Sequence, residues 1–116
     1  MTVAPVAITA DRLIELLRAR YPAPEWASFA EFANGTGAIR DRAADFVAFN
    51  TYPSKGFLTA AFEIKTSRSD FARELAAPAK RAWLEECFAE CWFVCPKGLI
   101  SVSALPARWG LLLPAG

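Results

Sequence analysis

The sequence predicts an α/β domain, a small mixed sheet flanked by helices, and three observations lead there. Amphipathic helical windows alternate with short apolar, aromatic runs of strand length. The chain of 116 residues fits one domain, taken as residues 1–116, and can bury roughly two-thirds of its unfolded surface. No internal repeat, low-complexity tract or linker divides it.

Thr9 is placed to cap a helix over residues 10–20, where Leu13, Ile14, Leu16 and Leu17 form an apolar face among Asp11, Arg12, Glu15 and Arg18. The run "YPAPE" ends it, since proline and the residue before it resist helix. Trp26, Phe29, Phe32 and Ala33 then recur at helical spacing and predict a second short helix over 25–33, ended by "NGTG". The apolar runs "AADFVAFN" and "FLTAAFEIK", joined by the turn-rich "TYPSKG", predict an antiparallel hairpin.

Next, "SRSDFARELAAPAKRAWLEECFAE" has a helical pattern, with Ser67 or Ser69 as N-cap and Pro78 either kinking it or opening a second segment. "CWFVCP" predicts a third strand, and "GLISVSAL" and "WGLLLP" two more that close the sheet. The predicted order opens helix, helix, strand, strand, helix, and the remainder is strand. Trp26, Trp83, Trp92 and Trp109 are expected in the core.

Composition narrows the function. Thirteen basic and twelve acidic side chains leave a net charge of +1, without the basic excess of a purely electrostatic nucleic-acid binder. Any such contact has to come from a local patch. The N-terminus lacks a charged n-region and an apolar h-region, and no run reaches membrane-spanning length, so a cytoplasmic protein with no membrane partner is expected. Cys87, Cys91 and Cys95 follow a C-x3-C-x3-C spacing that matches neither zinc pairs nor a disulfide framework. With no histidine in the chain, they are expected as reduced core thiols.

The hairpin carries charges that a core strand normally avoids. Glu63 and Lys65, two residues apart, project from one face of their strand while Phe62 and Ile64 project from the other. A surface salt bridge would account for that pair alone. Asp45 changes the weighing, because hairpin pairing can bring it across from the Glu63 strand. Two carboxylates on one face repel, and the remedies are a shared proton or a bound cation. Hard oxygen ligands without histidine or paired thiolates point to Mg²⁺ or Mn²⁺, and a magnesium site that keeps its waters takes phosphate oxygens readily, which suggests a phosphodiester substrate.

These residues resemble the PD-(D/E)XK nuclease superfamily, whose site sets a glutamate on an early helix, an aspartate on one strand and E-x-K on the next. The matching positions are Glu31 in "FAEFANGTG", Asp45 in "RAADFVAF", and Glu63 with Lys65 in "FEIK". Ala44 stands where the superfamily's name calls for proline. The longer strings "FEIKTSRSDFARELAAPAK", "CWFVCPKGLI" and "LPARWGLLLP" resemble a small bacterial and phage group within it, the MmcB-like DNA repair proteins.

The resemblance implies a restriction-endonuclease-like mixed sheet flanked by helices and a metal-dependent deoxyribonuclease acting in DNA repair or phage and bacterial DNA processing. It implies Asp45, Glu63 and the Ile64 carbonyl as ligands of Mg²⁺ or Mn²⁺, Lys65 as the group that orients the attacking water, and Glu31 as an aid to the metal site. Arg68, Arg73, Lys80 and Arg81, on the following helical stretch, are the expected nucleic-acid contacts, Lys80 above all. DNA is the implied partner, with a homodimer or a larger repair complex besides.

Plainer readings compete at each position. Asp45 can cap a strand start, Glu31 can be a helix-surface carboxylate, and the four basic residues can form a solvated face paired with Asp70, Glu74 and Glu85. Tyr52 and Lys55 in "TYPSKG" suit a nucleic-acid contact or a mere hairpin turn. The alternative function is a non-catalytic nucleic-acid-binding or accessory subunit on the same fold.

Overall fold

Thr9 opens the first helix by accepting a hydrogen bond from the Arg12 amide at 3.2 Å, which satisfies one of the unpaired donors of the first turn. In the computed structural model, which describes residues 8–33 and 43–114, this helix is α1 (Ala10–Arg20). Leu13 and Leu17, one turn apart, are fully buried against the sheet. The strands are β1 (Trp26–Ala33), β2 (Ala43–Asn50), β3 (Thr59–Ile64), β4 (Glu90–Val94) and β5 (Trp109–Leu112), in that spatial order. Two further helices, α2 (Arg68–Leu75) and α3 (Pro78–Cys87), connect β3 to β4.

The sheet is mixed. β1, β2 and β3 form an antiparallel meander, while β4 runs parallel to β3 and β5 parallel to β4. A parallel neighbour requires a crossover, and α2 with α3 supply it. Alternation along the strands sorts the core into two layers. Phe46, Ala48, Ala60, Phe62 and Val94 pack with Leu13 and Leu17 of α1. Val47, Ala61, Cys91, Phe93 and Trp109 pack with Phe71 of α2 and Leu84 of α3. The described residues thus form a single α/β unit with a five-stranded mixed sheet and three α-helices.

Ser67 caps α2, accepting from the Asp70 amide at 3.2 Å, and Pro78 opens α3 at a position whose amide would be unpaired anyway. The Trp92 ring of β4 lies over Gly110 of β5 so closely that a Cβ there would sit 2.5 Å from it. Only glycine fits there without displacing the indole.

Three expectations are corrected. Of residues 25–33, expected as a helix, 26–33 form strand β1. The reason lies at Glu31, whose left-handed φ of 54° interrupts the alternation. Phe29 and Phe32, three apart, therefore both meet Phe49, with ring centroids 6.1 and 5.8 Å away, and a broken strand mimics helical spacing. Second, "GLISVSAL" is no strand: β5 already occupies that edge of β4, and Val102–Ala104 forms a 3₁₀ turn with the Ser101 and Ser103 hydroxyls 2.9 Å apart. Third, Cys87 is exposed, although Cys91 and Cys95 are buried. Trp109 is a core residue as expected, whereas Trp26, Trp83 and Trp92 are half-buried. The expected "NGTG" terminator lies outside the described residues.

Candidate active site

The hairpin register brings the two strand carboxylates together. Phe46 pairs with Phe62, and the same antiparallel ladder continued by one residue sets Asp45 opposite Glu63. Asp45 and Glu63 share the sheet face of Val47 and Ala61, the one that α2 and α3 cover. Asp45, half-buried, accepts a hydrogen bond on Oδ2 from the Ile64 amide at 2.8 Å. Glu63 is fully buried, and neither of its carboxylate oxygens has a hydrogen-bond donor.

A bare carboxylate at that depth is costly, and its acidity records the cost. Burial, then the charge of the neighbouring Asp45 carboxylate, push the Glu63 carboxyl up to about 9. Lys80, with Nζ 3.5 Å from Oε1, offsets only part of this, and Glu74 adds to it. At neutral pH Glu63 therefore holds a proton unless a cation replaces it.

Basic side chains converge from the end of β3 and from α3. Lys65, just past β3, lies 3.1 Å from Glu74 Oε1, and Lys80, in the first turn of α3, lies 3.4 Å from the same oxygen. Burial alone would lower the Lys80 ammonium, but Glu63, Glu74 and Asp45 outweigh it and raise it above its ordinary value. Asp45, Ile64, Lys65, Asp70, Arg73, Glu74, Ala77 and Lys80 line an open cleft of about 370 Å³. The volume suits a small charged group rather than a large apolar ligand, since acids and bases make up most of its wall.

Of the residues expected at the site, Asp45, Ile64, Lys65 and Lys80 line this cleft, and Glu63 is buried next to Asp45 and Lys80. Arg73 lines the cleft and pairs with Asp70 across one turn of α2, where Ser67 and Arg73 together hold the Asp70 carboxyl below its ordinary value. Arg68 sits elsewhere, beside Thr66, Pro96 and Lys97. Arg81 is corrected from a nucleic-acid contact: it is buried and committed to Glu74, donating to its backbone carbonyl and lying 3.6 Å from Oε2. Glu31 stands on a strand rather than a helix. The ladder that pairs Ala30 with Phe46 and Phe32 with Ala44 puts it in the same row as Asp45, but its side chain is exposed. Among the described residues no three acidic or thiol side chains converge as a ready metal cluster, so Glu31 does not join Asp45 and Glu63 there. Lys55 pairs with Glu25 beneath the hairpin turn, while Tyr52 stays exposed.

Glu74 was missed as a site residue. Its signal was its place three residues after Phe71, which puts it on the buried face of α2, the one carboxylate on that face.

No protein-family model matches the chain, and no curated protein does. A solved structure of a protein of unknown function from Silicibacter pomeroyi is similar, at 26% identity and a TM-score of 0.56. The match covers 84% of this chain and 56% of that one, so the chain spans little more than half of its neighbour's length. The likeness is one of architecture. Among the described residues no helix is long and apolar enough to cross a membrane.

Proposed function

We propose that the cleft is the centre of a divalent-cation-dependent phosphodiesterase acting on DNA, on a restriction-endonuclease-like fold of the PD-(D/E)XK type. One observation carries the reading: Glu63 is fully buried beside Asp45 with both oxygens lacking a donor. That is an arrangement a cation stabilises and an empty core does not. The donor set fits a hard ion, because Asp45 in the cleft and Glu63 buried beside it offer carboxylate oxygens, and Ile64 lines the same cleft as Asp45. When bound there, Mg²⁺ or Mn²⁺ supplies Lewis-acid polarisation of a phosphoryl oxygen and neutralises charge.

The chain's own residues do the rest. Asp45 and Glu63, with the Ile64 carbonyl, would hold the ion, Glu63 then releasing its proton to solvent. Lys65 orients the attacking water and balances negative charge developing on the phosphate. Lys80 and the exposed Arg73 contact substrate phosphates. Near-neutral charge and the small size of the cleft suit action with a partner, a second copy or a repair complex.

The test sets wild type against Asp45→Asn and Lys65→Ala on branched, single-stranded and duplex DNAs with Mg²⁺ or Mn²⁺. Asparagine keeps an acceptor for the Ile64 amide, so the strand end survives while the ligand charge is lost. At least one DNA is expected to be cut, and each variant to lose that activity by about a hundredfold or more. Equal cutting by both variants sinks the assignment. Retention of DNA without divalent ions and without cutting by wild type moves the reading to an accessory, nucleic-acid-binding subunit.

A further inference from the structure

Glu74 is the second buried carboxylate between the sheet and its helices, and the proposed chemistry gives it no part. Its side chain is 2% exposed, and at that depth an ionised carboxylate persists only when cations pair with it. The pairing is divided between its two oxygens. Oε2 lies 3.6 Å from the guanidinium of buried Arg81, which also donates to the Glu74 backbone carbonyl. Oε1 is shared by Lys65 at 3.1 Å and Lys80 at 3.4 Å.

That division is more than neutralisation requires. Arg81 alone supplies one compensating charge, and two ammonium groups on a single oxygen repel each other. The lysines come from different elements, one past the end of β3 and one from the first turn of α3, and both line the cleft beside Asp45. Each sits on a flexible four-carbon stem that has no fixed direction of its own. Glu74, on α2, is the point that ties all three elements to the cleft wall.

We infer that Glu74 is a positioning residue: it holds the Lys65 and Lys80 ammonium groups at fixed points of the cleft, and Arg81 fixes Glu74 in turn. The inference rests on the phosphodiesterase reading of the cleft, since Lys65 and Lys80 touch the substrate there and Glu74 acts only through them. Removing the tether loosens groups that must be aligned at the reacting phosphate, so turnover suffers more than substrate binding.

The first measurement needs neither substrate nor metal. In protein labelled on lysine nitrogen, an ammonium group held by a carboxylate exchanges its protons slowly enough for NMR detection. Lys65 and Lys80 are expected as two protected signals, assigned with Lys65→Arg and Lys80→Arg, and both are expected to vanish in Glu74→Gln, which keeps the shape of the side chain without its charge. Wild type with neither ammonium protected overturns the inference whether or not Glu74→Gln folds, and so do signals that persist in a folded Glu74→Gln.

The second measurement uses whichever DNA wild type cleaves. Glu74→Gln is expected to lower kcat about tenfold or more with KM within about threefold. An unchanged kcat overturns the positioning role. If wild type cleaves nothing, the phosphodiesterase reading falls, and the tether stands or falls on the ammonium signals alone.

Discussion

Replacing Glu63 with glutamine removes a buried acid whose proton the folded chain holds far above the ordinary range. The unfolded chain releases that proton near 4.5 and the folded chain near about 9. Between those values the folded state binds more protons than the unfolded one, so this residue's contribution to stability is intact below 4.5 and is lost progressively as pH rises towards about 9. Each pH unit inside the window costs about 1.4 kcal/mol. From 4.5 to neutrality the loss is about 3 kcal/mol, a large share of a small domain's stability.

The glutamine of Glu63→Gln has nothing to titrate. Urea unfolding of wild type and Glu63→Gln, both free of divalent ions, at intervals from about pH 5 to about pH 8 should therefore give stabilities that diverge, the variant gaining on wild type by about 1 kcal/mol or more per unit. Taking the difference between the two proteins cancels the groups they share. Added Mn²⁺ should close the gap by stabilising wild type alone, with roughly one proton released per ion bound near neutrality. Curves that stay parallel across the window would refute the reasoning, because Glu63 would then be ionised in the fold and compensated by something other than a proton.

Two further outcomes are expected. A thiol reagent should modify one cysteine of the native protein promptly, the exposed Cys87; burial raises Cys91 to about 11 and raises Cys95 too, so both should react only after unfolding. Three prompt thiols would contradict the packing of β4. Glu31→Gly should stabilise the fold by about 1 kcal/mol, since glycine adopts the left-handed φ of 54° without the cost a side chain carries, and thermal or urea unfolding reads it directly. If Glu31→Gly also leaves Mn²⁺ affinity unchanged, that acid is no ligand; a marked loss would restore it to the metal site.

Much of the site was legible because strand geometry is short-range. The two-residue repeat puts Glu63 and Lys65 on one face, and the hairpin turn sets the register that brings Asp45 opposite. Ser67 and Pro78 announced the two helices through local hydrogen-bonding rules. What failed to show was tertiary. β1 is a strand because β2 needs a partner on its open side, and its one left-handed residue disguised the repeat as helical. Arg81 and Lys80 are neighbours in sequence, yet α3 turns one inwards to Glu74 and leaves the other at the cleft, a distinction that depends on where α3 docks.

The contrast between the two buried acids is the strongest ground for keeping a cation in the account. Glu74 and Glu63 occupy the same layer between sheet and helices, and both are removed from water. Glu74 receives three basic side chains within 3.6 Å, so its charge is compensated by the fold itself. Glu63 receives one, at 3.5 Å without a hydrogen bond, and faces a second carboxylate instead. A core selected for stability alone would place an apolar residue there, since Phe62 and Ala61 beside it show that the strand accepts them, and replacing an uncompensated buried acid with a packed hydrophobe commonly stabilises. Lys65 is directed to Glu74, and Lys80 is shared between the two acids, 3.4 Å from Glu74 and 3.5 Å from Glu63. The fold thus sets its cations where they align other groups and leaves the two buried oxygens of Glu63, beside the cleft-lining Asp45, without a hydrogen-bond donor, which is the charge pattern a site needs if its positive charge is to arrive from solution with the phosphate.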